Sequence, residues 1–240
     1  MVTRFGVRGE ELCSALQSAG VATLWLPTTR VVSSEEQCLA AQRAFDVVGT
    51  YDLVVFTSAN AVEFFAPRSL SETTHVRCAA VGERTAKAAR DKGFDVVVVA
   101  DPPTGASLVS ALSDHARGRV LYVRAQTVAS DVAGALRELG FQVDEAVVYE
   151  TVAERLTNEQ VEAARVCESA VFASPSAADA FVESVGPSLG EMVAICIGLT
   201  TGRRCQEIGF GQVRVASRPD DSDIVALAAS VGADRSPEGA

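Results

Sequence analysis

Four short segments place small polar side chains where an apolar run ends and a helical pattern begins. They are Phe56-Thr57-Ser58-Ala59-Asn60, Val81-Gly82-Glu83-Arg84-Thr85, Phe172-Ala173-Ser174-Pro175-Ser176 and Ile197-Gly198-Leu199-Thr200-Thr201. Ser, Thr and Asn at a helix start accept hydrogen bonds from the free first-turn amides. Pro175 has the residue type expected at a first helical position. Gly82 and Gly198 would let backbone approach a ligand closely. A helix N-terminus also turns unpaired N–H groups and the positive end of its dipole toward an anion. Several such termini would bind a polycarboxylate without many cations. A single hydroxyl at such a place is most often only a cap, but here the sites come in symmetric pairs.

A fifth segment, Val147-Val148-Tyr149-Glu150-Thr151, carries one of three tyrosines. A phenol gives a proton to a leaving hydroxyl without carrying charge at neutral pH. Other chemistries find no home. There is no GxSxG, and Ser58 and Ser174 have no histidine partner in view, so nucleophilic catalysis is not indicated. Neither a phosphate loop nor GxGxxG occurs, so no organic cofactor is expected. Six cysteines occur without CxxC spacing, and His75 and His115 lack ligand-type neighbours at useful spacing, so neither a metal site nor a disulfide framework is expected.

The elements that must hold these residues are strands and helices in alternation. The expected strands are Val21–Leu26, Leu53–Phe56, Arg77–Val81, Val96–Ala100, Arg119–Val123, Val143–Val148, Ala170–Ala173, Val193–Ile197 and Val213–Ala216, with Met1–Arg4 as a short first one. Helical patterns such as Glu10–Ser18, Arg84–Lys92, Ala106–His115, Val132–Leu139 and Thr200–Glu207 fall between them. That alternation predicts an α/β fold with parallel sheets covered on both faces. The chain also repeats itself. A shift of 116 residues carries Phe56 onto Phe172, Ser58 onto Ser174, Phe65 onto Phe181, Gly82 onto Gly198 and Thr85 onto Thr201. It also carries Gly93-Phe94 onto Gly209-Phe210. A shift of 120 continues the match, placing Arg4 on Arg124, Leu16 on Leu136 and Gly20 on Gly140. The repeat therefore predicts two similar halves, and by itself places a cut near Gly118. Gly93 and Gly209 read as residues just past a helix end.

Composition narrows the class further. With 240 residues there is room for one large domain or two of roughly 100–150 residues. A formal charge of −10 argues against a nucleic-acid surface. The first residues are charged and no apolar run reaches membrane-spanning length, so a soluble cytoplasmic protein is expected. Residues 233–240 are expected to form a disordered tail.

Taken together, these segments resemble the uroporphyrinogen-III synthase family over roughly residues 2–230. Phe56-Thr57-Ser58-Ala59-Asn60-Ala61-Val62 is similar to the family's FTSxNAV, Val81-Gly82 with Thr85-Ala86 to its VGxxTA, and Val148-Tyr149-Glu150-Thr151 to its VYxT. Ser174-Pro175-Ser176 is similar to its SPS and Ile197–Thr201 to its IGxTT. Three positions depart from the pattern, one of them near Ala129, where a second Arg often found in the family is missing. Arg4 precedes Phe5 where the family usually has Arg-Pro, and Arg124-Ala125 replaces the common Arg-Gly.

The resemblance implies two flavodoxin-like parallel-sheet domains. Residues 1–28 with 152–232 would form one and 33–147 the other, joined by a two-segment hinge at 28–32 and 148–152. It also implies a hydro-lyase that cyclises hydroxymethylbilane, a linear tetrapyrrole, to uroporphyrinogen III in haem biosynthesis. Ring D would be inverted through a spiro intermediate, with loss of water and without metal or cofactor. Tyr149 would assist departure of the hydroxyl. Thr57, Ser58, Asn60, Thr85, Arg124, Ser174, Ser176, Thr200 and Thr201 would bind the substrate. A monomer receiving its substrate from the preceding pathway enzyme is implied, with no nucleic-acid or membrane partner. The alternative on the same scaffold is a non-catalytic tetrapyrrole-binding regulatory module.

Overall fold

Strands without polar alternation need cover on both faces. Leu53–Phe56 reads LVVF and Val193–Cys196 reads VAIC, and every residue of both is buried. The computed structural model describes residues 1–66, 75–187, 189 and 191–234. Along this chain run α1 (Val7–Ser18), β1 (Thr29–Val32), α2 (Glu35–Asp46), β2 (Leu53–Phe56), α3 (Ala59–Phe65), β3 (Arg77–Val81), α4 (Gly82–Asp91), β4 (Asp95–Ala100), α5 (Gly105–Ala111) and β5 (Arg119–Ala125). Then follow α6 (Val132–Glu138), β6 (Gln142–Ala153), α7 (Asn158–Arg165), β7 (Ser169–Phe172), α8 (Pro175–Val185), β8 (Val193–Cys196), α9 (Leu199–Glu207), β9 (Gln212–Val215) and α10 (Asp221–Asp234).

The chain divides into two compact units. The first unit is Met1–Val31 with the chain from Val152 onward, and the second is Val32–Thr151. The chain therefore crosses between units twice, inside β1 and inside β6. In the second unit the sheet runs β6-β5-β2-β3-β4, all parallel, with β1 beside β6 at the edge. In the first unit β7-β8-β9 are parallel, and Val2 extends the sheet by parallel bridges to Val171 and Trp25. Backbone bonds from Val2 N to Leu24 O and from Leu26 N to Val2 O complete that edge. Numbered along its own chain, the first unit has strand order 2-1-3-4-5, the flavodoxin-like doubly wound order.

The second unit has the same spatial order with its chain start moved, so that β5 and β6 stand where residues 1–3 and 24–26 stand in the first. This explains why two different shifts are needed to align the sequence with itself. The 116-residue shift maps β2 through β4 onto β7 through β9. The 120-residue shift maps the first strand and α1 onto β5 and α6. A single cut near Gly118 is accordingly not where the units divide, because Met1–Val31 packs with the C-terminal strands.

The matched phenylalanines are packing residues. Phe56, Phe65 and Phe94 form a triad with ring centroids 5.2 to 6.5 Å apart. Phe172, Phe181 and Phe210 form the same triad in the first unit, at 5.4 to 6.4 Å. Gly93 and Gly209 have φ of 89° and 103°, the left-handed conformation that ends a helix without strain only at glycine.

Several elements differ from the sequence reading. Residues 21–26 make a single bridge at Trp25 rather than a strand. β6 is longer than Val143–Val148 because it continues across the unit boundary. The helices α2 and α7 carry full capping boxes, Ser34 with Gln37 and Thr157 with Gln160, a signature present in the sequence but not read there. α10 runs through Asp234, which shortens the expected tail, and residues 235–240 lie outside the described residues.

Candidate active site

In open α/β sheets ligands bind beyond the carboxyl ends of the strands, at the point where strand order reverses. In the second unit that point lies between β2 and β5. Thr57 and Ser58 follow β2, Arg124 lies near the end of β5, and Tyr149 sits on β6 opposite Ala125. These residues converge. Tyr149 Oη lies 2.8 Å from Ser58 Oγ, across 91 residues of sequence. Ser58 is the N-cap of α3 and accepts from Ala61 N at 3.0 Å. Thr57 Oγ1 stands a longer 3.4 Å from Tyr122 Oη. Tyr149 is 7% exposed, and its ring is stacked on Phe64 with centroids 5.5 Å apart and planes 22° apart. Burial pushes the Tyr149 phenol above the ordinary tyrosine range, and the Ser58 hydrogen bond partly opposes this. The phenol is therefore neutral through physiological pH.

Arg124 does not reach toward these hydroxyls. Its Nε donates to Glu145 Oε2 at 2.6 Å, and its Nη1 donates to the carbonyls of Ala125 and Gln126. Glu145 also receives Arg137 at 2.9 Å. Burial works to raise the Glu145 carboxyl, but the two guanidiniums outweigh it and hold it below the usual range. Asn60, in the first turn of α3, is exposed.

The helix starts do not all behave alike. Ser58 and Ser174 cap α3 and α8 as their types predict, Ser174 accepting from Ala177 N at 3.2 Å. The N-caps of α4 and α9 are instead Val81 and Gly198, neither with a side-chain cap bond. Thr85 and Thr201 are not caps. They lie inside the first turns and are 4% exposed. Gly82 has a local requirement of its own. Its φ of 77° demands glycine, and an added Cβ would meet Pro103 at 2.9 Å. Gly198 faces open space, so its lack of a side chain leaves room there.

In the first unit, order reverses between residues 1–3 and β7, which brings Arg4 and Ser174 to one end of the sheet. Arg4 is buried and pairs with Asp221 at 2.6 Å. Ser174 Oγ also meets Ser176 Oγ at 3.0 Å, and Ser176 and Thr200 are exposed. The sequence reading missed Phe64, Tyr122 and Glu145. Tyr122 had a usable signal, since it is two residues from Arg124 and shares a face of β5 with it. Among the described residues no group of three or more His, Cys, Asp and Glu side chains could hold a metal, and no helix is long and apolar enough to cross a membrane.

The paired serine caps give a stability test. Ser58→Ala and Ser174→Ala should each cost about 1 kcal/mol in urea unfolding, the usual loss for an N-cap hydroxyl. Only Ser58→Ala also removes a partner of Tyr149.

Comparison with known proteins identifies the family and the fold. A family model described as uroporphyrinogen-III synthase HemD matches residues 10–226. The crystal structure of uroporphyrinogen-III synthetase from Helicobacter pylori is 26% identical, covers 86% of this chain and 92% of that one, and superposes with a TM-score of 0.66. A mutant uroporphyrinogen III synthase from Thermus thermophilus covers 97% and 98% with a TM-score of 0.62, and at 16% identity it shows a shared fold alone. A protein of Methanothermobacter thermautotrophicus, provisionally named a uroporphyrinogen-III synthase, is 27% identical over 97% of this chain and 98% of its own. With a match spanning nearly all of both units, this chain belongs to the uroporphyrinogen-III synthase family.

Proposed function

We propose that this protein closes hydroxymethylbilane to uroporphyrinogen III, inverting ring D and releasing one water. The observation that carries the reading is the neutral Tyr149 phenol held by Ser58 at the strand-order reversal of the second unit. The substrate's terminal carbon bears a hydroxyl that leaves as water once protonated. Tyr149 supplies that proton, and the adjoining pyrrole nitrogen pushes electrons in to give an azafulvene. Attack on this electrophile forms the spiro intermediate, which reopens and recloses with the ring inverted. The pyrrole carbon that closes the macrocycle sheds its hydrogen, so the proton lent by Tyr149 is restored and only water is lost. Holding one reactive conformer is the larger task, because proximity and orientation decide which closure wins.

The substrate's carboxylates require local donors in so acidic a chain. We assign their contacts to the partly exposed Thr57, Asn60, Arg124, Ser174, Ser176 and Thr200 and to backbone N–H groups near them, and leave the equally part-buried Ser58, first read as a substrate contact, to Tyr149. Thr85 and Thr201 have little surface to offer a ligand and would act through the turns they sit in. The enzyme works as a cytoplasmic monomer and takes its unstable substrate directly from the enzyme that makes it.

The test is product analysis. Purified protein given freshly made bilane should yield the type III isomer in excess, separated chromatographically after oxidation. Type I product alone, at the spontaneous rate, would refute the assignment.

A further inference from the structure

Ser58 does two things at once. A hydroxyl has one proton to give and two lone pairs to receive. One lone pair takes the Ala61 N–H, which fixes the Ser58 rotamer, and Tyr149 Oη lies within hydrogen-bond distance at 2.8 Å. The repeat supplies an internal comparison. Ser174, one repeat later, caps its helix in the same way, but its oxygen meets Ser176 instead of a phenol. Duplicated architecture thus accounts for the cap and leaves the phenol contact unexplained. Phe64 follows the same rule. Its repeat position is Ala180, which has no ring to stack. Both side chains that hold the Tyr149 ring and oxygen therefore belong to α3 and its cap, and both contacts are peculiar to the second unit.

We propose that Ser58 and Phe64 are positioning residues for Tyr149, Ser58 donating to the phenol oxygen so that the phenol's own proton is free for the substrate, and Phe64 fixing the ring plane. This rests on the reading of Tyr149 as the acid for the departing hydroxyl. When the proton passes from Tyr149 to that hydroxyl, the Ser58 bond falls on a phenolate. A bond to a charged acceptor is about twice as strong as a neutral one. Ser58 thus stabilises the state that follows proton transfer more than the state before it, as a rate-enhancing contact must. The downward pull of Ser58 on an otherwise burial-raised phenol has the same sign. The opposite polarity, with Tyr149 donating to Ser58, would lock the useful proton away.

The experiment is a near-ultraviolet tyrosinate titration of the full chain, with Tyr149→Phe identifying the Tyr149 contribution among three tyrosines. In Ser58→Ala the Tyr149 midpoint should rise by about one pH unit, and Ser58→Thr should restore it. Should Ser58→Ala not fold, Ser58→Gly, which disturbs a helix start far less, serves in its place. With bilane, Ser58→Ala should lower kcat about tenfold and leave KM within about twofold. Phe64→Leu should reproduce the kcat loss, while Phe64→Tyr, which keeps the ring, should not. An unchanged or lowered midpoint in Ser58→Ala overturns the proposal, as does a rise confined to KM, which would assign Ser58 to the substrate. The titration needs no substrate. A raised midpoint in a protein that makes only type I product would therefore refute the reaction and leave the Ser58–Tyr149 coupling standing.

Discussion

Replacing Tyr149 with Phe should slow formation of the type III isomer by about 10–100-fold, the lower range for losing one general acid. The substitution removes one oxygen and leaves the ring stacked on Phe64, so stability should change little. It does leave the Ser58 hydroxyl without its phenol partner. Ser58 is only part-buried, so water can take that place at small cost. The loss should therefore appear in kcat rather than in protein yield. The wild-type rate should show no fall from loss of the Tyr149 proton until pH exceeds the ordinary tyrosine range, because burial raises that phenol. A Tyr149→Phe enzyme with unaltered turnover would remove the phenol from the mechanism and leave conformational control as the sole source of catalysis. Partial activity is the expected middle outcome, since the bilane loses its hydroxyl unaided and the enzyme's larger task is steering.

Truncating one phenylalanine of either aromatic triad should be the most destabilising single change in the molecule. Phe56, Phe172 and Phe181 are fully buried, and each touches two other rings of its triad or its close neighbours. Phe→Ala in such a core costs about 3–5 kcal/mol, from lost transfer energy and the cavity left behind. Total stability of a domain is only about 5–15 kcal/mol, so the variant would sit near the threshold of folding. Chemical denaturation of Phe56→Ala and Phe172→Ala should show comparable losses, each confined to the unit that holds the residue. Val166→Ala is the control. Val166 is 83% exposed, and its truncation should stay within about 0.5 kcal/mol. Equal effects at Val166 and Phe172 would mean that the repeated aromatics are not the core of their unit.

The repeated phenylalanines and glycines were legible in the sequence because core packing and helix ends reuse the same residue types at the same spacing. Leu53–Phe56 and Arg77–Val81 were readable to the residue, since buried parallel strands are short continuous apolar runs bounded by turn residues. The edge at residues 21–26 was not, because an edge segment needs few backbone bonds and its apolar pattern does not reveal how few it makes. Thr85 and Thr201 show a different limit. A hydroxyl near a helix start looks like a cap, but whether it is one depends on where the helix begins. Here α4 and α9 begin four and three residues earlier than a capping role for them would need.

The hydroxyl-bearing strand ends, the acidic surface and the candidate phenol were determined by sequence, since residue type and local period suffice for each. The Ser58–Tyr149 bond was decided only in three dimensions. It depends on β5 lying between β2 and β6, a pairing between strands distant in the chain that no local pattern encodes. The fate of Arg124 was decided there as well. Its residue type promised a free cation, and the fold placed Glu145 on the neighbouring strand to hold it. The twice-crossed unit boundary has the same origin. The first strand buries itself against β7, and only the completed sheet shows why residues 1–3 belong with the C-terminal half.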